Sequence, residues 1–415
     1  MSVESPFIIS IPQESLSLLQ QKLRLVTFPD ELDDAGWEYG APLTDIRRLV
    51  TRWSNGYDWR YHEAQLNMEL PQFTRDIDVG GHGMLNVHYV HKKSDAEYAI
   101  PLLFVHGWPG SFFEARKLVP LLTRGSPDHP SFHVVAISLP GFGFSEAPRK
   151  KGFNLDQYAE VCNKLMLSLG YNEYVTQGGD WGFIITRRMA HLYGPKYVKA
   201  WHTNFPGGTP PSLLTQPLSF LTVLFHFLFP SLNPQMQAGF DKTQKFIQSG
   251  SGYNAIQGTK PQTLGYSMAD SPVGLLAWIY EKLVGWTDGY AWDDDEVLTW
   301  ISIYWFSRAG PTAAARIYYE VGGGNALNLG KLMGTPEYTA SIPHGISRFP
   351  GEVAILPKSW AKSNRKIVFD REHERGGHFA AYERPVDVCG DLREMFGRGG
   401  PAFGVVKGRD GYNSE

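Results

Sequence analysis

Asp180 stands at the centre of Gly178-Gly179-Asp180-Trp181-Gly182, between a short apolar run and an amphipathic one. Small residues two before and two after a central carboxylate suit a tight strand–turn–helix, because such a turn is crowded. The turn presents its central side chain at a helix N-terminus, where the dipole favours negative charge. An ionised Asp there can act as a nucleophile and form an ester. It can equally be a plain helix N-cap, a role for which Asp is favoured.

Three further segments shift the balance toward chemistry. His106-Gly107-Trp108-Pro109-Gly110 follows the apolar run Ile100–Val105 and offers backbone N–H groups, although alone it is only a Gly/Pro turn. Gly376-Gly377-His378-Phe379 follows Lys366–Phe369 and supplies an imidazole. In isolation, one His among 13 reads as a hydrogen-bonded loop residue. His344 and His373 lack the Gly-His setting and are weaker candidates. Glu352 follows the strand-like run His344–Phe349 and can meet His378 from the far side; otherwise it is an exposed Glu. Asp370 is the alternative acid, but it ends the strand that carries the His.

Hydrophobic periodicity predicts the elements that position these groups. The first 60 residues read as helical, with Ser10 and Gln13 as a capping box and Leu16, Leu19 and Leu23 on one face. A second helix takes Thr44 as its N-cap, turns Ile46, Leu49, Val50 and Trp53 inward, and stops at Asn55-Gly56. Phe73–Val79 and Leu85–Val90 alternate around Gly80-Gly81-His82-Gly83 as a hairpin. Strands at Ile100–Val105, His133–Leu139 and Tyr174–Gln177 then alternate with helices at Asn154–Leu169 and Phe183–Tyr193, which argues a mostly parallel sheet with helices on both faces. After about Pro206 this rhythm breaks. Residues 207–340 read as a mainly helical insertion, before strands return and a last helix runs from about Pro385 to Phe396. The predicted organisation is an N-terminal segment over 1–70, core over 71–206, a helical cap over 207–340 and core again over 341–415.

A nucleophile turn followed in the chain by an acid and then a His is the order found on the α/β-hydrolase fold. In that fold the oxyanion hole takes one N–H from the loop after an earlier strand and one from the residue after the nucleophile, here Trp108 and Trp181. Asp at the elbow, where esterases and peptidases carry Ser, disfavours those activities.

Together these motifs resemble the microsomal-type epoxide hydrolase family, particularly its soluble fungal members. The resemblance covers nearly the whole chain. It includes Tyr57-Asp58-Trp59-Arg60, Leu70-Pro71-Gln72-Phe73, Leu85 through His91, His106 through Glu114, Gly141-Phe142-Gly143-Phe144-Ser145 and the Asp180 turn. It continues with Thr259-Lys260-Pro261-Gln262-Thr263, Asp270-Ser271-Pro272-Val273-Gly274 and Gly376 through Pro385. The resemblance implies a small apolar epoxide as substrate, a vicinal diol as product, and no metal or organic cofactor. It implies a pair of cap tyrosines bonded to the epoxide oxygen, matching Tyr253 and Tyr318, with Tyr319 a competitor shifted by one residue. Its acid position falls on Glu352. Membrane attachment, known in the family's mammalian branch through an N-terminal anchor, is not expected to carry over. Two rivals share much of the constellation: a haloalkane dehalogenase, which needs N–H donors for a halide, and a catalytically silent ligand-binding homologue.

Composition narrows the remaining classes. Net charge is −3 over 415 residues and no Lys/Arg block stands out, so a nucleic-acid footprint is not expected. Cys162 and Cys389 lie far apart without metal-binding spacing, which fits a reducing cytoplasm. The start shows no secretory pattern. The apolar run Leu218–Phe229 is too short to span a bilayer and reads as a buried cap helix, a tunnel wall or an association surface, compatible with a homodimer.

Overall fold

The computed structural model describes residues 4–205, 207–208, 210–211, 213–214, 217–328, 332, 339–361 and 365–413. Pro206, the last residue before the expected insertion, lies outside the described residues.

The strands are β1 Ser5–Phe7, β2 Gln72–Val79, β3 Gly83–Lys92, β4 Ile100–Val105, β5 Phe132–Ile137, β6 Tyr174–Gly178, β7 Val198–Thr203, β8 Thr339–Arg348 and β9 Arg365–Glu372. They form one sheet in the order β1-β2-β3-β5-β4-β6-β7-β8-β9. The first three strands and β5 pair antiparallel, while the sheet from β5 to β9 is parallel. All six residues of β4 are buried, as expected where helices cover both faces. The hairpin pairs Ile77 with Leu85 and Val79 with Gly83, in the register its alternation predicts. β7 escapes the sequence reading because its run Val-Lys-Ala-Trp-His-Thr mixes polar and apolar residues.

Before the insertion run α1 Gln13–Arg24, α2 Leu43–Ser54, α3 Trp59–Glu69, α4 Val119–Thr123, α5 Leu155–Ser168 and α6 Trp181–Tyr193. Leu19 and Leu23 of α1 and Ile46, Leu49, Val50 and Trp53 of α2 face inward. The expected caps are corrected: Pro12 and Pro42 stand at the two N-cap positions, and neither helix has a side-chain cap bond. Ile11 and Ala41 each precede a proline, which disfavours helical backbone, so neither helix starts earlier. Ser10 is therefore too early to cap α1, and Thr44 lies inside α2.

Between β7 and β8 lie α7 Pro217–Leu228, α8 Pro234–Lys245, α9 Gly252–Thr259, α10 Pro261–Asp270, α11 Pro272–Gly285, α12 Asp294–Trp305 and α13 Arg316–Gly322. The N-terminal segment braces this stretch through Arg48–Asp294 and Arg52–Asp295 ion pairs and a Tyr57–Thr299 hydroxyl contact at 3.1 Å. α7 is not a buried helix: Leu218, Leu221, Leu224, Phe225, Phe227 and Leu228 are exposed, while Val223 and His226 are buried. Among the described residues, no helix is long and apolar enough to cross a membrane.

Candidate active site

β4 and β6 are neighbours, with Val105 opposite Gly178, so the loops leaving them meet at one edge of the sheet. Asp180 occupies the turn between β6 and α6 at φ +51°, a left-handed conformation that is costly for a residue with a side chain. Crowding sets the residue types around it. A Cβ on Gly182 would lie 1.8 Å from the Val105 carbonyl oxygen.

The capping alternative for Asp180 fails, because its side chain makes no cap bond to α6. Its Oδ1 instead accepts the Trp108 backbone N–H at 2.8 Å. Trp181 is the first residue of α6, and an N–H in that position has no acceptor within its own helix. The HGWPG turn is held from α12, where Trp300 Nε1 donates to the Pro109 carbonyl at 2.6 Å and the Tyr304 hydroxyl donates to Gly110 at 2.7 Å.

His378 and Glu352 arrive from the ends of β9 and β8, whose loops are joined by a parallel bridge between Gly351 and Gly377. His378 Nδ1 lies 2.6 Å from Glu352 Oε1, which also accepts the Val353 N–H at 2.7 Å. Nε2 then points to Asp180, 3.5 Å from its Oδ2. The His378 backbone N–H donates to the Trp286 carbonyl at 2.8 Å, and the Trp286 ring packs edge-on to the imidazole. Burial opposes charge on His378, but the Glu352 and Asp180 carboxylates outweigh it and hold its pKa well above the usual value.

The other candidates are engaged elsewhere. His344 stacks on Trp201, His373 bonds Asp391 at 2.7 Å, and Asp370 pairs with Arg348 at 2.6 Å.

Tyr253 from α9 and Tyr318 from α13 line one cavity with Asp180, Trp286 and His378, closed by Ile184, Phe205, Leu327, Leu332 and Val353. Tyr253 stacks on Trp108 at 5.1 Å between centroids, and Tyr318 meets Trp181 edge-on at 5.0 Å. Burial, then the charge on Asp180, raises the Tyr253 pKa against its hydrogen bond with Tyr318. Burial likewise raises that of Tyr318. Both phenols therefore keep their protons through the neutral range. Tyr319 is 38% exposed, whereas Tyr318 is 3% exposed, so the two neighbours face opposite ways. The sequence reading missed the apolar wall and Trp286. No motif marked which ring of the insertion meets the His.

A mostly parallel sheet of this order with a tight strand–turn–helix after β6 has the architecture of an α/β-hydrolase-fold enzyme. The profile described as alpha/beta hydrolase fold matches residues 100–229, and that described as Epoxide hydrolase N terminus matches residues 4–115. Epoxide hydrolase 1 of Sus scrofa is 35% identical over 421 residues, covering 94% of this chain and 88% of that protein. The structure of Aspergillus niger epoxide hydrolase matches with a TM-score of 0.78 at 32% identity, covering 94% of this chain and 95% of that one. Juvenile hormone epoxide hydrolase from the silkworm Bombyx mori gives a TM-score of 0.81 at 27% identity over 94% of this chain and 93% of its own. The chain belongs to the epoxide hydrolase family.

Proposed function

We propose that this chain hydrolyses a small apolar epoxide to a vicinal diol through a covalent ester on Asp180. One observation carries the reading: the Asp180 carboxylate lies between the Trp108 N–H at 2.8 Å and His378 Nε2 at 3.5 Å, in a cavity that two protonated tyrosines share. In the first half-reaction an Asp180 oxygen attacks an epoxide carbon and the carbon–oxygen ring bond breaks. Tyr253 and Tyr318 bond the departing oxygen, and one of them gives it a proton. The product is a hydroxyalkyl ester and a phenolate.

The charge on His378 gives this order a physical basis. In the free enzyme the imidazole sits between two carboxylates and is protonated. Esterification removes the Asp180 charge, so the imidazolium becomes more acidic and returns its proton to the phenolate. Neutral His378, oriented by Glu352, then takes a proton from water. The resulting hydroxide attacks the ester carbonyl, and the Trp108 and Trp181 N–H groups hold the oxyanion, each worth about 3 kcal/mol. Collapse releases the diol after a proton passes from the Asp180 carboxyl to the alkoxide, restoring the starting charges.

A carboxylate at the elbow fits this chemistry, because an ester can be hydrolysed where a serine ether could not. A dehalogenase needs no proton donor, so two phenols beside the nucleophile favour the epoxide. A silent binding homologue has no use for His378 at this distance from Asp180. In the same reading, residues 207–340 form a lid over the catalytic loops, 1–70 brace that lid, and 71–206 with 341–415 make the core.

His378→Gln tests the two halves separately. The variant is expected to accumulate ester on Asp180, detected as a mass increase equal to the epoxide, with diol release slowed by about 10²-fold or more. Asp180→Ala is expected to form neither ester nor diol; full turnover by it would sink the mechanism.

A further inference from the structure

Behind the HGWPG turn lies a carboxyl that these steps leave unused. Glu114 sits in the short 3-10 turn Phe112–Ala115 and is buried. The Gly107 backbone N–H favours the charged form of its carboxyl. A Cβ on Gly110 would lie 1.5 Å from its Oε1, so the carboxyl fills the hollow that a side chain at 110 would take. A Cβ on Gly107 would lie 2.3 Å from Asp180 Oδ1. The turn therefore packs against the Glu114 carboxyl at Gly110 and against the Asp180 carboxylate at Gly107, and is closed by the Gly110 N–H on the Gly107 carbonyl at 3.1 Å.

We infer that Glu114 is a positioning residue for the ester chemistry: by filling the turn beside the Gly107 N–H, it keeps the next N–H, that of Trp108, aimed at the Asp180 carboxyl. The inference rests on the covalent reading of Asp180. Geometry explains the need. The turn is only a few residues of backbone, and without a filling group it would hold an unpartnered N–H over a void next to the nucleophile.

The protonation state of Glu114 then matters to the reaction. Burial pushes its carboxyl up to about 8, with Asp180 adding to the rise and His378 and the Gly107 N–H opposing it. At neutral pH it is an uncharged acid. The titratable groups facing it are Asp180 from the elbow, His378 from the β9 loop and Tyr304 from α12. Ionisation sets a second negative charge, besides that of Glu352, near the ester carbonyl and His378. That charge opposes the oxyanion and holds the imidazole protonated, so ester hydrolysis slows as pH rises through about 8. The two active-site phenols stay protonated in that range.

The test is single-turnover kinetics on a styrene-type epoxide, resolving ester formation and ester hydrolysis from pH 6 to 10 for wild type, Glu114→Gln and Glu114→Leu. Gln keeps an acceptor for the Gly107 N–H without a titratable charge. It is expected to hydrolyse the ester within about threefold of wild type at pH 7 and to lose the fall above pH 8. Leu fills the space without an acceptor and is expected to slow both steps by about tenfold with KM little changed. Wild-type rates in Glu114→Leu, or a wild-type alkaline limb in Glu114→Gln, would overturn the role. Should the Leu variant not fold, the pH profile of the isosteric Gln variant decides. If wild-type enzyme forms no ester on Asp180, the covalent reading fails and this inference falls with it. Normal ester formation with indifferent Glu114 variants would sink the inference alone.

Discussion

Asp180 holds a strained backbone conformation whose cost is on the order of 1–3 kcal/mol, and the turn around it leaves little room to relax. Its side chain uses that position to reach Trp108 and His378 instead of capping α6. The elbow was legible because crowding demands glycines, and glycines around one carboxylate stand out in a chain. The tyrosines were not legible in that way: among 20 tyrosines no spacing marks a proton donor, and only the family resemblance singled out Tyr253 and Tyr318. The structure places both in the cavity of Asp180 and turns Tyr319 outward. Tyr253→Phe and Tyr318→Phe are each expected to slow ester formation by about 10–100-fold while leaving ester hydrolysis close to wild type. Rapid-mix measurement of the two steps checks this. Equal slowing of both steps would mean the phenols shape the site without serving the epoxide oxygen.

At the scale of elements, the sheet does most of the assembly. Adjacent parallel strands deliver the Trp108 turn beside Asp180 and the Glu352 loop beside His378. That order followed from alternating strand and helix periodicity and from the chain order of nucleophile, acid and His. Helix starts were less readable. Ser10 and Thr44 have the right chemistry for caps, yet prolines two residues away decide where α1 and α2 begin. Contacts between distant elements were invisible in the sequence, above all the bonds from α12 to the HGWPG turn. They tie α12 to the turn that carries the Trp108 N–H. Tyr304→Phe removes the hydroxyl that the Gly110 carbonyl accepts from and is expected to cost about 1–2 kcal/mol of stability. The same change should slow ester hydrolysis more than ester formation, because the oxyanion forms only in the second step. A variant with lowered Tm but unchanged hydrolysis would show that α12 supports the fold alone.

Across the whole molecule, burial of ionisable groups sets how stability depends on pH. Burial lowers His88 to about 3 and His106, His133 and His202 to about 4. Unfolded imidazoles take protons near 6.5, so stability is lost as pH falls from there toward 4. Burial raises Glu114 to about 8 and Glu383 to about 7, from an ordinary value of 4.5. Those two favour the fold while protonated, and their contribution is lost as pH rises from 4.5 through about 8. His378, also raised, loses its contribution in the same direction above about 6.5. Between 4.5 and 6.5 the four histidines outweigh the two glutamates, so Tm is expected to peak near pH 6.5 and decline on both sides. Calorimetry from pH 4 to 9 checks it, and a Tm still rising at pH 9 would contradict it. None of this was readable from a net charge of −3, because the effect lies in which groups the fold buries.

The covalent role of Asp180 is tested most directly by one turnover of excess enzyme in ¹⁸O-water, with both the diol and the Asp180 peptide weighed. Attack of water on the ester carbonyl predicts ¹⁸O in the Asp180 carboxylate and an unlabelled diol. Label in the diol and none in Asp180 would mean that water opens the epoxide directly, and the ester mechanism would be wrong.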